Sequence, residues 1–254
     1  MAKCAFVTGA GTGIGRGIAL HLAENGFDVG LHYNSSSEGA ESAAAEIRSM
    51  GRRAEIFRGN LRDTDAICEM FTEFEAVFGA PDIFVNNAGI TKKAPFLETT
   101  PEMFDDVMGV DYRAAYFCMQ AAARSMVKHS IRGSIVLITS NHAYAHFGDA
   151  SVYGSVKAAA AKVVEHAAIE LARYGIRVNS VCPGWTDTGA ARLGNKEDSF
   201  YKIPLQRWTT PEEVAKAVLY LSGDGAASIT GTHLVIDGGA LLQSDKPEMY
   251  GFYP

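Results

Sequence analysis

Tyr153 and Lys157 stand one helical turn apart in Val152-Tyr153-Gly154-Ser155-Val156-Lys157, and Ser140 precedes them at the end of an apolar run. Residues four apart on a helix share a face, so the phenol and the ammonium point the same way. A phenol titrates near about pH 10 and exchanges protons poorly at neutral pH. A neighbouring ammonium favours the phenolate and brings it toward the working range. A serine hydroxyl at the end of Gly133–Ser140 can donate a hydrogen bond to a substrate oxygen. Such a trio protonates a carbonyl or deprotonates an alcohol.

The surrounding pattern supplies elements to hold these groups. The alanine run after Lys157 favours helix. Lys3–Thr8 reads as a strand, Gly9-Ala10-Gly11-Thr12-Gly13-Ile14-Gly15 as a turn, and Arg16–Asn25 as a helix. A glycine-rich turn between a strand and a helix N-terminus cradles a pyrophosphate. Phe27–Tyr33 is a second strand, Glu38–Met50 a helix, Arg53–Arg58 a third strand, and Asp63–Phe78 a helix with Asp63 as N-cap. Asp82–Val85 is a fourth strand ending at Asn86-Asn87-Ala88-Gly89. Thr100-Pro101 starts a long helix with a bend expected near Gly109 and an end near Lys128. Later strands are read at Ile176–Cys182 and Thr232–Ile236, with a helix over Pro211–Ser222. Strands alternating with helices predict one α/β domain over 1–254, a doubly wound Rossmann-type parallel sheet of about seven strands. Ligands of such sheets bind at the carboxyl ends of the strands, where Gly9, Tyr33, Asn60, Asn87 and Ser140 fall.

At 254 residues the chain can bury a substantial core. A net charge of −6 argues against nucleic acid and anionic membranes as partners. No signal-peptide pattern and no stretch of about 18 apolar residues is present, so a cytoplasmic location is expected. Cys4, Cys68, Cys118 and Cys182 have no metal-ligand spacing, so no metal is expected and all four read as buried thiols. After Tyr33 come Asn34, Ser35 and Ser36, with no carboxylate to repel a 2′-phosphate, so NADP is expected over NAD. Residues 186–203 read as a substrate lid, and 242–254 as an aromatic C-terminal tail.

Taken together, these motifs resemble the classical short-chain dehydrogenase/reductases. Thr8–Gly15 matches the family's TGxxxGIG turn, Asn86–Gly89 its NNAG, and Ser140 with Tyr153-x-x-x-Lys157 its catalytic set. Pro183-Gly184-x-x-x-Thr188, Ile229-Thr230-Gly231 and Asp237-Gly238-Gly239 match its later signatures. The resemblance implies Tyr153 as acid-base group, Lys157 as its modulator and a ribose ligand, and Ser140 as orienter of the reacting C–O. It implies Gly9, Thr12, Gly13, Ile14 and Gly15 around the pyrophosphate. It places Tyr33, Asn34, Ser35, Asn60, Leu61, Asn87, Ala88 and Gly89 on the adenosine side. Pro183, Gly184, Thr186 and Thr188 fall toward the nicotinamide. Two positions depart from the family pattern. Asp111 stands where an asparagine usually serves a proton relay, and Asn60 where an aspartate often faces adenine. Asp111 is expected to raise the Lys157 pKa if it lies close.

Asn141, His142, Tyr144, His146 and Trp185 are candidate pocket residues, and their polar and aromatic mix suits a sugar or polyol. The resemblance to bacterial glucose dehydrogenases points the same way. 3-Oxoacyl-carrier-protein reductase shares every motif named, and a non-catalytic dinucleotide-binding regulator would keep the fold but lose Ser140, Tyr153 or Lys157. The family's habit of pairing two long helices implies a homotetramer, and the apolar helix after Tyr153 fits that pattern.

Overall fold

The computed structural model describes residues 3–146, 148–189 and 196–242. Short apolar runs form β1 (Cys4–Val7), β2 (Asp28–Tyr33), β3 (Ala54–Arg58), β4 (Ile83–Asn86), β5 (Ser134–Ile138), β6 (Arg177–Pro183) and β7 (His233–Ile236). They pair in the order β3-β2-β1-β4-β5-β6-β7, every pair parallel. β1, β4 and β5 are buried at every position, as strands covered on both faces must be. The chain winds outward from β1 to β3, then returns to place β4 on the other side of β1. That reversal opens a crevice at the carboxyl ends of β1 and β4.

The two faces of the sheet are filled differently. On one lie α1 (Gly13–Glu24), α2 (Ser37–Ser49) and α7 (Pro211–Ser222), packed through Ile18, Leu22, Ile47, Val214 and Val218. On the other lie α3 (Thr64–Phe78), α5 (Ala115–Lys128) and α6 (Ser151–Leu171), packed around a cluster of phenylalanines. Phe6 and Phe74 stack there with centroids 4.5 Å apart. Each fully buried ring contributes roughly 1.5–3 kcal/mol.

Helix ends follow the local chemistry. Asp63 caps α3 by accepting the Asp65 N–H at 2.9 Å. Thr100 accepts the Met103 N–H at the start of α4 (Pro101–Val107). The bend expected near Gly109 is a π-helical segment, Met108–Ala114, inserted between α4 and α5. Such insertions change which side chains face inward, and Asp111 falls in this one. α6 begins at Ser151, so Tyr153 and Lys157 sit in its first turns.

One expectation about the cysteines fails. Cys4, Cys118 and Cys182 are buried, but Cys68 is exposed, because it follows Ile67 onto the outer face of α3. Among the described residues no helix is long and apolar enough to cross a membrane. Of the expected lid, 186–189 and 196–203 are described, with a 3-10 helix over Lys196–Lys202. The expected tail, from residue 243 on, lies outside the described residues.

Candidate active site

A cleft of about 810 Å³ opens at the crevice and runs from Tyr33, Asn34 and Ser35 at one end to Ser140, Tyr153 and Thr186 at the other. Gly9, Thr12, Gly13, Ile14 and Gly15 form its floor near β1, with Asn87, Ala88 and Gly89 beside them. The chain turns at Gly9 with φ +64°, a left-handed conformation that favours glycine. A Cβ on Gly15 would stand 2.2 Å from the Gly9 carbonyl oxygen, so the turn and α1 touch backbone to backbone. Thr12 precedes α1 without a side-chain capping bond. The first helical N–H groups are therefore available to an anion, as a pyrophosphate requires.

The NNAG stretch is fastened to this turn through Thr8. Thr8 Oγ1 accepts the N–H groups of Asn87 and Ala88 at 2.9 and 3.0 Å. Asn87 Nδ2 donates to the Thr8 and Gly9 carbonyls at 3.0 and 3.2 Å. Asn86 Nδ2 donates to the Ala115 carbonyl at 2.7 Å, tying β4 to the start of α5. Asn60 and Leu61 line the adenosine side. Thr186 and Thr188 follow β6, and Thr188 packs against the start of α1, where a Cβ on Gly13 would meet it at 3.2 Å.

The reacting end is assembled from three elements. Ser140 lies just past β5 and its Oγ accepts the His142 N–H at 3.3 Å, leaving its own proton to donate into the cleft. Tyr153 lines the same cleft. Lys157 sits beneath it, 6% exposed, with Nζ 5.4 Å from the tyrosine ring centroid. Asp111, 2% exposed, holds that ammonium with Oδ2 at 2.9 Å from Nζ. Its other oxygen accepts the Ile90 N–H at 2.7 Å. Burial works to lower the Lys157 pKa. The carboxylate of Asp111 and the neighbouring Tyr153 outweigh it and hold the ammonium above the ordinary lysine value.

A second cavity of about 440 Å³, sharing no lining residue with the cleft, is lined by His142, Phe96, Tyr144, His146, Asp149 and Ser151 among others. The His142 and Tyr153 rings meet edge to face, centroids 5.1 Å apart. Burial, then the Lys93 ammonium, push the His142 pKa down to about 4, so the imidazole is neutral at pH 7.

A family model described as enoyl-(acyl carrier protein) reductase matches residues 9–240. An uncharacterized oxidoreductase of Escherichia coli, YohF, is 39% identical over 97% of this chain and 98% of its own length. The chain is a classical short-chain dehydrogenase/reductase. An L-rhamnose 1-dehydrogenase (NAD(P)(+)) of a Sphingomonas species is 36% identical, covering 93% of this chain and 95% of the relative. A 3-oxoacyl-[acyl-carrier-protein] reductase of Staphylococcus aureus is also 36% identical, over 95% of this chain and 99% of its own. Among solved structures, an acetoin dehydrogenase from Enterobacter cloacae superposes with TM-score 0.90 at 37% identity, covering 97% of this chain and 100% of that one. A short-chain dehydrogenase from Burkholderia cenocepacia in complex with NADP gives 0.88 at 35%, covering 94% and 97%.

This short-chain dehydrogenase/reductase fits a nicotinamide dinucleotide on its own geometry: an open cleft of about 810 Å³, free N–H groups at the start of α1, and no carboxylate on the cleft wall after β2. Two sequence candidates are placed elsewhere. Asn141 is 2% exposed and lines neither cavity; its Nδ2 lies 3.4 Å from Asp237 Oδ2, on a carboxylate that also accepts the Gly239 and Leu241 N–H groups. Trp185 lines neither cavity; its carbonyl accepts the Thr209 N–H in the strand-like bridge after β6. Sequence reasoning missed the function of His32, counted only as part of a polar stretch. Its Nδ1 accepts the Gly9 N–H at 3.1 Å and its Nε2 lies 3.0 Å from the Gly59 carbonyl. The available signal was position: a strand buried on both faces leaves no polar side chain without a partner.

Proposed function

We propose that this oxidoreductase interconverts a secondary alcohol and a carbonyl on a small polar substrate of the sugar, polyol or hydroxyketone class, with NADP preferred over NAD. One observation supports it most: Ser140 and Tyr153 share the cleft wall, and the His142 ring against Tyr153 belongs to a cavity lined also by Tyr144, His146, Asp149, Ser151 and Ser155. Hydroxyl-bearing substrates need such convergent hydrogen-bonding groups next to aromatic faces. The nicotinamide, when bound, supplies or accepts the hydride. The Ser140 hydroxyl donates to the reacting oxygen and fixes its position. The Tyr153 hydroxyl exchanges a proton with that oxygen, with the Lys157 ammonium beneath its ring. Asp111 holds Lys157 in place and keeps it charged.

NADP is favoured because Tyr33, Asn34, Ser35 and Ser36 wall the adenosine end with hydroxyls and an amide. Docking of an acidic carrier protein would call for free cations at the cleft mouth. Arg62 and Lys92 share Asp106 there and Lys93 lies exposed beside His142, so oxoacyl thioesters belong in the substrate screen. We also propose a homotetramer built on α5 and α6, whose outer faces expose Tyr116 and Ile169, the latter 77% accessible; sedimentation velocity tests it. For the chemistry, absorbance at 340 nm is followed with NAD and NADP against sugars, polyols, acetoin and oxoacyl thioesters. Turnover of a polyol or hydroxyketone is expected. Turnover of oxoacyl thioesters alone would overturn the substrate class, and no turnover with any pair would overturn the reading.

A further inference from the structure

Among the described residues two histidines lie in the sheet, His32 on β2 and His233 on β7, and His32 is the buried one, 2% exposed between β1 and β3. Both its ring nitrogens are engaged with backbone, and the partners determine the tautomer. The Gly9 N–H can only donate, so Nδ1 must be bare to accept it at 3.1 Å. The Gly59 carbonyl can only accept, so Nε2 must carry the hydrogen that reaches it at 3.0 Å. The two backbone groups lead into different stretches of the cleft lining. Gly9 opens the turn that floors the pyrophosphate site, and Gly59 precedes Asn60 and Leu61 on the adenosine side. The main chain of His32 adds a third tie, its carbonyl accepting the Ala10 N–H at 2.9 Å.

We propose that His32 is a positioning residue for the dinucleotide: a neutral imidazole, in its Nε2–H tautomer, that joins Gly9 to Gly59 and holds both stretches at cofactor spacing. This rests on the reading of the cleft as a dinucleotide site. A proton added at Nδ1 would face the Gly9 N–H, donor against donor, and push the turn away. Cofactor affinity therefore falls as the pH drops through the His32 titration. That titration lies below the ordinary histidine value, because burial lowers it more than the Gly59 carbonyl raises it. The charged groups on the packed elements are engaged or point outward. Asp28 on β2 accepts the Arg53 N–H, Arg58 on β3 is exposed, and Asp63 caps α3. Tyr33, next along β2, is the nearest titratable neighbour in sequence and is half-buried on the cleft wall.

Three substitutions separate the two hydrogen bonds. His32→Asn places an acceptor near Nδ1 but cannot reach Gly59; His32→Gln places a donor near Nε2 but offers Gly9 nothing; His32→Phe removes both. Dissociation constants for NADPH and NADH are measured by fluorescence titration between pH 5 and 8, and kcat is measured at saturating cofactor. A lost bond that leaves a buried N–H orphaned is expected to weaken binding about tenfold or more in His32→Gln and His32→Phe. His32→Asn is expected to bind within about threefold of the natural protein. Saturated kcat should stay within about twofold in all three. Long-range ¹H–¹⁵N spectra of the cofactor-free protein should show Nδ1 unprotonated at neutral pH, a readout that survives if a variant fails to fold. Protonated Nδ1 in those spectra, or a His32→Gln Kd for NADH within about threefold of the natural protein's, overturns the proposal. A natural protein that binds neither dinucleotide overturns the reading of the cleft instead, whatever the tautomer.

Discussion

The two ends of the cleft are held by opposite kinds of bond. Around Gly9 the ties are neutral: Thr8 Oγ1, Asn87 Nδ2 and the two ring nitrogens of His32 hold backbone groups of the turn, of the stretch after β4 and of the loop after β3. Around Tyr153 the central tie is an ion pair, Lys157 with Asp111, both almost fully buried. Neutral hydrogen bonds fix the shape that a phosphate chain must find and leave the local charge to the ligand. A buried ion pair fixes a charge beside a group that must gain and lose a proton. Binding calls for the first and acid-base chemistry for the second, and one sheet edge supplies both.

The sharpest test of this contrast is Tyr153→Phe. It removes the hydroxyl and leaves the neutral network untouched. Turnover should fall by about a thousandfold, the scale of a lost general acid-base group, while the Kd for NADPH stays within about twofold. A comparable loss of cofactor affinity would erase the distinction between the two ends.

Asp111→Ala strikes the charged end alone. It leaves Lys157 buried without a counter-charge, which costs about 3–5 kcal/mol. Urea unfolding at pH 7 measures it, and a loss under about 1 kcal/mol would show that the pair contributes little. Asp111→Asn keeps the shape and the Ile90 contact. Burial lowers the Lys157 pKa and the carboxylate raises it, so without the carboxylate the ammonium is lost at lower pH. The alkaline limb of kcat/KM should move to lower pH; an unmoved limb removes Asp111 from the chemistry. The same pair links stability to pH on the alkaline side. With its folded pKa above the unfolded value, Lys157 contributes fully below about 10.5 and loses that contribution as the pH rises through the folded value.

The smallest expected effect is at the adenosine rim. Asn34→Asp puts a carboxylate on the wall where a 2′-phosphate would lie, and should shift the ratio of NADP to NAD affinity about tenfold toward NAD. Equal affinities before and after would mean that Asn34 does not face the phosphate. Turnover at saturation should not change, since this end carries no proton.

How much of this was legible in the chain varies residue by residue. Gly9 to Gly15, the cap residues Asp63 and Thr100, and the shared face of Tyr153 and Lys157 all rest on interactions within a few positions, which pattern reveals. The closeness of Asp111 to Lys157 was only conditional, because it depends on how α4 and α5 are joined. The π-helical turn that presents Asp111 has no composition signature. Cys68 was misplaced because a thiol reads as apolar while its position on α3 faces water. Asn141 and Trp185 were assigned to the pocket by nearness to Ser140 and Gly184; in the fold the Asn141 amide meets Asp237 and the Trp185 carbonyl accepts the Thr209 N–H.

The sequence by itself determined the alternation of strands and helices, the glycine turn, and the order in which serine, tyrosine and lysine arrive at one sheet edge. These follow from local propensity and from spacing, which chain connectivity preserves. Only the tertiary structure decided which tautomer His32 must adopt and which carboxylate neutralises Lys157. Hydrogen-bond direction and burial of charge arise where β1, β2, β3 and the π-helical turn meet, between residues far apart along the chain, and no local pattern encodes that meeting.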